Sequence, residues 1–181
     1  HKLFKSSLIV LVANGLTSVL NYLYHFVAVR NVSIADYGII QSLISLNYVF
    51  TVISGAFSLV IISHLSDTDN RETANQSKYL TKVSLKISLA VWLILLLLYP
   101  FISNFLHLKS FVPFLIFSLQ HIILLLPTLY QSILKAKLKF FQSSLASVAA
   151  SAIKVLTVLG LFSLGFRLNG ALWGWFGWKL V

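Results

Sequence analysis

Several polar side chains occur inside long apolar segments, at spacings that place them on one helix face. In the first segment Asn14, Asn21 and His25 are seven and four residues apart, which is the spacing of one face of an α-helix. The second segment carries Asn47 near its middle and Gln41 nearer one end. Hydrocarbon offers amide and imidazole groups no partner. The stripes therefore predict either hydrogen bonds between helices or a water-filled cavity that binds a polar ligand.

Lys154 lies near the middle of the fifth apolar segment, and no Asp or Glu occurs inside any of these segments. Placing a lysine in mid-membrane costs at least about 2.5–3.5 kcal/mol on insertion scales. This position favours water or an anionic ligand beside the ammonium. The alternatives are a lysine neutralised by desolvation, or one paired with an acid elsewhere. Lys86 is a weaker candidate, because its long stem can extend to the cytoplasmic surface.

The fourth apolar segment contains Gln120 and His121 near its middle and Pro127 further on. A proline inside a helix removes one backbone donor, so Pro127 predicts a kink. The glycines Gly170, Gly174 and Gly177 recur three or four residues apart at the end of the chain, a pattern typical of close helix packing.

Enzyme signatures are missing from the sequence. Asp36 is the only acid near the end of an apolar segment, and no second carboxylate accompanies it for acid–base or metal chemistry. There is no cysteine, and no two histidines form a ligand pair four residues apart. We therefore expect no catalytic residues, no metal site and no enzymatic activity.

The composition indicates which elements position these residues. Of the 181 residues 58% are hydrophobic and 10% are charged, and the mean hydropathy is +0.89. Soluble domains carry about 25% charged residues, so lipid is the expected solvent. The Lys and Arg residues that produce the net charge of +10 lie mostly at the ends of apolar runs. This placement favours contact with lipid over binding to nucleic acid.

The apolar runs predict an all-α, polytopic membrane helix bundle. About 20 helical residues cross a bilayer core. The sixth run is too short to do so, and position 1 is not methionine. We therefore expect a piece of a longer protein, folded as a single lobe over residues 1–181. The predicted helices are 4–29, 37–63, 80–106, 111–134, 140–166 and the incomplete 169–181.

The connection 64–79 is the one distinctly hydrophilic stretch and holds three of the four acids. It is expected to be a cytoplasmic loop, with an interfacial helix capped by Asp67 or Asp69 as the alternative. With the N-terminus in the cytoplasm, eight Lys and Arg residues lie at inside ends of the spans and three lie outside. The positive-inside rule favours this orientation.

The turn between the first two spans resembles a known family signature. Arg30, followed by Val-Ser-Ile-Ala-Asp-Tyr-Gly from Val32 to Gly38, is similar to the R-x-L-S-x-x-E-Y-G turn of polysaccharide-biosynthesis flippases. These O-antigen-type translocases belong to the multidrug/oligosaccharidyl-lipid/polysaccharide exporter superfamily. Valine replaces the usual leucine, and Asp36 the usual glutamate. The signature residues here are Arg30, Ser33, Asp36, Tyr37 and Gly38.

Two later stretches agree with this resemblance. The basic run from Leu134 to Phe140 resembles the cytoplasmic turn after the family's fourth helix, and Leu168 to Ala171 resembles the opening of its sixth. The implied fold is the six-helix N-terminal lobe of a MATE-like flippase, with the sixth helix truncated. The implied location is the bacterial cytoplasmic (inner) membrane, with the N-terminus in the cytoplasm.

The resemblance implies transport, by alternating access, of an undecaprenyl-pyrophosphate-linked oligosaccharide from the cytoplasmic to the periplasmic leaflet. No cofactor is expected, although H⁺ or Na⁺ can be the coupling ion, and polysaccharide polymerase machinery is a further expected partner. On this hypothesis Lys154, Lys86 and His121 attract the pyrophosphate, and amide and imidazole groups bind sugar. These groups belong to Asn14, Asn21, His25, Gln41, Asn47 and Gln120.

Two other functions remain open from the sequence. A drug or cation antiporter of the same superfamily would be favoured by an acidic residue inside the lobe, and the predicted spans contain none. An integral-membrane glycan-modifying enzyme would need catalytic groups on a large outer loop, and the predicted outer loops are only a few residues long.

Overall fold

A computed structural model describes residues 2–66, 68–108 and 110–177, without the side chains of 2–6, 70, 71 and 177. The described residues form helices joined by short turns and contain no strand, which confirms the all-α prediction. The helices are α1 (Lys2–Asn31), α2 (Ile34–Leu65), α3 (Asn70–Leu97), α4 (Tyr99–Phe105), α5 (Phe111–Leu119), a 3₁₀ turn (Gln120–Ile123), α6 (Leu125–Ala136), α7 (Phe140–Ser163) and α8 (Leu168–Gly177).

Four described helices are long and apolar enough to cross a membrane. They run over Ser7–Asn31, Ile34–Leu65, Glu72–Leu97 and Phe140–Ser163, and α5 with α6 makes a fifth if the bent pair is one span. In the apolar stretches of the four straight spans, only 11–17% of the residues are buried inside the protein. Because most of this apolar surface faces outwards, lipid is the environment that stabilises it. The structure thus fits a multi-pass membrane protein.

The helices pack in an order that differs from the chain order. The most extensive contacts join α1 to α7, α2 to α6, and α7 to α8. The short turn between α1 and α2 predicts antiparallel neighbours, yet these two helices touch little along their length. Tyr24 illustrates the reason, because its buried hydroxyl donates a hydrogen bond to the Ala171 carbonyl of α8 at 2.9 Å. Long-range contacts such as this one hold α1 against the later helices.

The prediction that residues 64–79 form a loop is wrong. Helix α2 continues to Leu65, and α3 begins at Asn70 with Asp69 as its extended N-cap residue. Glu72 accepts a 3.0 Å hydrogen bond from the amide of Gln76 one turn later. The first turns of α3 carry polar side chains on nearly every face, so they are expected to lie in water. For the same reason they show no apolar periodicity that would predict a helix. The alternative of a helix in this region describes them better, although Asp67 lies outside the described residues.

The third predicted span, 80–106, is divided in two. Helix α3 ends at Leu97, and the short helix α4 follows from Tyr99 to Phe105 with Pro100 in its first turn. Proline is well accommodated there, because the first amide groups of a helix have no partner within it. The span therefore starts earlier than predicted and ends at this break.

The fourth predicted span, 111–134, is broken rather than kinked at its proline. Helices α5 and α6 meet at 40° across the 3₁₀ turn Gln120–Ile123. Pro127 lies in the first turn of α6 and cannot donate to the carbonyl of Ile123 four residues earlier. The break therefore occurs in the turn before the proline.

Two exposed serines at opposite ends of α2 test the predicted orientation. Ser33 is the N-cap of α2 and Ser66 its C-cap, and the native chain contains no cysteine. With the N-terminus in the cytoplasm, Ser33→Cys is expected to react with a membrane-impermeant maleimide added to intact cells. Ser66→Cys is expected to react only after the membrane is opened. The reverse pattern would show that the orientation is inverted.

Candidate functional site

The turn between α1 and α2 divides into two parts with different roles. The Ser33 hydroxyl accepts a hydrogen bond from the Asp36 amide at 3.1 Å and donates one to the Asp36 carboxylate at 2.8 Å. The first of these bonds is a side-chain N-cap, which satisfies one of the free amide groups in the first turn of α2. The Arg30 guanidinium lies 4.2 Å from the centre of the Phe26 ring. Ser33 and Asp36 therefore begin α2, and Arg30 packs on its own helix.

Tyr37, from the same turn, belongs to a polar group between α1 and α2. Its hydroxyl lies 3.2 Å from Nδ1 of His25, and the Gln41 amide nitrogen lies 3.1 Å from the same Nδ1. Gln41 also donates to the Tyr37 hydroxyl at 2.5 Å. The turn between α1 and α2 thus contributes directly to the group that contains His25, although the turn and the polar stripe were predicted as separate features.

Lys154 of α7 lies at the centre of a cage formed by three helices. Its ammonium donates a hydrogen bond to the Asn21 side-chain oxygen and lies 4.0 Å from the Trp175 ring centre and 5.4 Å from that of Tyr24. The side chain is 4% exposed, so both rings act on a largely desolvated cation. Cation–π attraction at such sites reaches about 2 kcal/mol. We call Asn21, Tyr24, Lys154 and Trp175 the lysine cage.

The lysine cage and the group around His25 are continuous. The His25 ring centre lies 5.4 Å from that of Trp175 and 5.2 Å from that of Tyr24. Comparisons with family models, with curated proteins and with solved structures find no match. The function of this site must therefore be inferred from its own chemistry: one buried cation, several hydrogen-bonding groups and a wall of aromatic rings.

Asn47, Gln120 and His121 form a second polar group at the broken span. The Gln120 amide nitrogen donates to the Asn47 side-chain oxygen at 3.2 Å, and both residues are buried. Nδ1 of His121 lies 3.1 Å from the Phe117 carbonyl, and its ring is flanked by Phe50 and Phe117 at 4.5 and 4.8 Å between centres. We call these three polar residues the amide cluster. It joins α2 to the 3₁₀ turn.

A serine from α3 stabilises the break beside the amide cluster. The Leu125 amide, the first of α6, donates to the Ser88 hydroxyl at 3.1 Å. The Leu124 amide donates three residues back, to the His121 carbonyl, as expected for a 3₁₀ turn. Inside a membrane an amide without a partner is costly, so a discontinuous helix requires a substitute acceptor. Ser88 provides it.

Ser88→Ala is expected to lower the free energy of unfolding by about 1–3 kcal/mol, because it leaves the buried Leu125 amide without its acceptor. The measurement is a denaturant titration of the protein in mixed micelles. Ser84 is a matched control, since it lies one turn earlier on α3, is equally buried, and has no hydrogen-bond partner for its hydroxyl in the described structure. Equal losses for Ser88→Ala and Ser84→Ala would show that Ser88 does not support the break.

Two of the predicted site residues lie away from both groups. Asn14 is exposed on α1, about two turns before Asn21 of the lysine cage. Lys86 is exposed on α3. The stripe on α1 is therefore mixed: Asn21 and His25 make contacts between helices, while Asn14 faces outwards. Gly38, from the signature turn, is exposed, and an added Cβ there would meet no described atom within 4 Å.

Sequence reasoning missed the aromatic half of the lysine cage. Trp175 and Tyr24 stand among apolar residues in their helices, where aromatic side chains usually pack or face lipid. Ser88 was also missed, because it is one of several serines on α3. A signal for Tyr24 was available in the sequence, since it lies three residues after Asn21 and therefore near the same helix face as the polar stripe. Within the described residues no group of three or more His, Cys, Asp or Glu is placed to hold a metal.

Proposed function

We propose that the protein is a membrane transporter that moves a polyprenyl-pyrophosphate-linked glycan from the cytoplasmic to the periplasmic leaflet of the bacterial inner membrane. In this proposal the chain forms the six-helix N-terminal lobe of a flippase and carries no enzymatic activity. The motion is alternating access, in which the lobe moves against a second lobe around a central cavity. Sugar-polymerising proteins would then use the transported glycan.

The observation that carries this proposal is the lysine cage and its link to the signature turn. Lys154 is a buried cation inside a span, and His25 and Gln41 connect its surroundings to Tyr37. A cation retained at this depth costs stability, so function is the usual reason for it. The combination of ammonium, amide and imidazole groups matches a ligand with both phosphate charge and hydroxyl groups.

The cage also suggests how such a ligand is held and released. Because Lys154 is only 4% exposed, an anion reaches its ammonium only after neighbouring groups such as Trp175 or Asn21 move aside. We propose that the pyrophosphate replaces these partners when the cavity opens, and that they return when the ligand leaves. Aromatic faces such as that of Trp175 also stack well against the apolar faces of sugar rings.

The decisive experiment is glycan export in cells that depend on this protein. Lys154→Ala is expected to reduce export of the lipid-linked glycan at least about tenfold, since a charge-assisted contact of about 1.5–3 kcal/mol is lost. Lys154→Arg keeps the charge and is expected to retain more activity than Lys154→Ala. Protein levels in the membrane are matched by immunoblotting before export is compared.

Lys82→Ala provides the control for loss of one positive charge, because Lys82 lies exposed on α3 outside both polar groups. It is expected to export normally. Normal export by Lys154→Ala at matched protein level would overturn the proposed role of the lysine cage. Equal losses of export in Lys82→Ala and Lys154→Ala would show that export depends on the overall charge and not on the lysine cage.

A further inference from the structure

We propose that the turn between α6 and α7, residues 135–139, binds an anionic phospholipid together with the apolar groove that begins beside it. The turn and the groove lie at the end of the bundle at which α7 begins. Lys154 lies fifteen residues further along α7 than Lys139, which is about 22 Å of helix. Lipid binding at the turn is therefore independent of the lysine cage and of the proposed transport.

The turn holds a leucine in a conformation that usually belongs to glycine. The Leu138 amide donates to the Lys135 carbonyl at 3.0 Å, and the Lys139 amide donates to the Leu134 carbonyl at 2.8 Å. These two hydrogen bonds form a Schellman motif, whose left-handed position is usually glycine because a Cβ is unfavourable there. Leu138 has a φ of 55° and is 71% exposed, so packing inside the protein does not explain it. A strained and exposed apolar side chain indicates a contact outside the chain.

Lys137 fixes the turn against the end of α2. Its ammonium donates hydrogen bonds to the carbonyls of Leu65, at 3.0 Å, and Thr68. Asp69 adjoins Thr68 in the chain and so lies near Lys137. These contacts use the charge of Lys137 within the protein and hold the turn in one position.

The other two lysines of the turn present positive charge to the surroundings. Lys135 and Lys139 are exposed, and neither ammonium has a hydrogen-bond or ion-pair partner among the residues that the structure describes. They lie four residues apart with no acid between them, so an external anion would offset their repulsion. An anionic headgroup brings net negative charge to this position, whereas a zwitterionic headgroup also brings a cation. Charge complementarity therefore selects an anionic lipid.

An apolar groove between α1 and α7 begins beside these lysines. It has a volume of about 370 Å³, and its lining includes Leu8, Phe141 and Leu145. Phe141 is the second residue of α7 and is 61% exposed. Because this lining lies within two membrane spans, a hydrocarbon chain is the expected occupant.

The two helices run parallel, which places the open end of the groove at the turn. Residues 8–16 of α1 and 141–148 of α7 line the groove, and Asn21 contacts Lys154 further along both helices. Both helices therefore begin at the same end of the groove, where the positive ends of their dipoles also favour an anion. One lipid can place its phosphate at the lysines, the start of its chain against Leu138, and the rest along the groove.

Photocrosslinking of the whole protein in nanodiscs tests the occupant. The nanodiscs contain equal amounts of phosphatidylglycerol and phosphatidylethanolamine, and Phe141→p-benzoyl-phenylalanine places the label in the groove. Mass spectrometry is expected to show phosphatidylglycerol adducts enriched about fivefold or more over the bilayer ratio, the factor that one lysine near an anionic lipid supplies. Phe101→p-benzoyl-phenylalanine is the control, because Phe101 is 74% exposed on α4 with no Lys or Arg within seven residues. Its adducts are expected to follow the bilayer ratio.

Substitutions in the labelled protein test the parts of the site. Lys135→Gln/Lys139→Gln is expected to remove the enrichment. The control Lys78→Gln/Lys82→Gln removes the same charge from exposed positions on α3 and is expected to keep it. Leu138→Gly is expected to lower the yield of phosphatidylglycerol adducts without lowering stability in a denaturant titration, because glycine adopts a positive φ without strain.

Four outcomes would contradict the proposal. An adduct ratio at Phe141 equal to the bilayer ratio would overturn it, and the charge of the turn would then suit an acidic protein segment. Loss of the enrichment in both double variants would show a general effect of charge. Loss of the enrichment in excess inorganic phosphate would show that the turn binds free phosphate and not a lipid. An unchanged yield in Leu138→Gly would show that the strained leucine does not contact the lipid.

Discussion

Gly174→Ala is expected to lower the free energy of unfolding by about 1–3 kcal/mol, through overpacking between α7 and α8. A Cβ built at Gly174 would lie 2.7 Å from Cβ and 3.1 Å from Cα of Val158. Val158 is fully buried on α7, and its backbone cannot rotate away as a flexible side chain would. The two helices must therefore move apart. Because Trp175 is the next residue on α8, the lysine cage would be disturbed as well.

The control for this prediction is Gly160→Ala on α7. A Cβ at Gly160 would meet no described atom within 4 Å, and the position is exposed. That substitution is expected to be neutral or to stabilise the helix by up to about 1 kcal/mol, since alanine is the better helix former. Both proteins are compared by denaturant titration in mixed micelles. Similar stabilities of Gly174→Ala and wild type would show that α7 and α8 can separate at little cost.

Substitutions of Val158 test whether a direct clash causes the loss of stability in Gly174→Ala. The closest approach to the added methyl group comes from Cβ of Val158, which alanine also has, so Val158→Ala is not expected to rescue Gly174→Ala. Val158→Gly removes that atom and is expected to recover part of the loss. If Val158→Gly recovers stability in the Gly174→Ala protein, the loss comes from a direct clash. If it recovers none, the loss comes from a general effect on the helix.

Close packing of α8 against a neighbour could be predicted from the sequence, because the spacing of Gly170 and Gly174 is a packing pattern, but the sequence did not identify α7 as that neighbour. Several long apolar helices could also be predicted, since length and hydropathy indicate them, although the third and fourth predicted spans are divided in the structure. The first turns of α3 could not be predicted as helix, because a helix surrounded by water needs no apolar face. The break at Gln120–Ile123 was predicted only as a kink near Pro127. Its other support is Ser88, a tertiary contact 37 residues away in the sequence.

The candidate site was predictable in its members but not in its grouping. Polarity within apolar helices indicated Asn21, His25 and Lys154, because such residues must find partners in a membrane. Which partners they find depends on α1 packing against α7 and on α2 packing against α6, and periodicity does not specify helix neighbours. The structure shows which contacts are made: Gln120 bonds to Asn47, and Lys154 bonds to Asn21.

Asn21→Leu is the second substitution with a large expected effect, a loss of about 1.5–3 kcal/mol in the free energy of unfolding. It removes the side-chain oxygen that accepts a hydrogen bond from the buried Lys154 ammonium. Lys154→Met is expected to cost less than this, because it leaves only a neutral amide in place of a buried charge. Denaturant titrations in mixed micelles measure both effects, with Ser18→Leu, one turn earlier and exposed on α1, as the control for added apolar bulk.

The double variant Asn21→Leu/Lys154→Met shows whether the two residues depend on each other. Replacing both partners of a buried polar pair by apolar side chains is often neutral or stabilising, so the double variant is expected to be more stable than Asn21→Leu alone. The coupling energy should fall between about 0.5 and 3 kcal/mol. If the stability losses of the two single variants simply add in the double variant, other neighbours support each residue. A double variant that is stable but fails to export the glycan would show that Lys154 is retained for transport, since the fold no longer needs it.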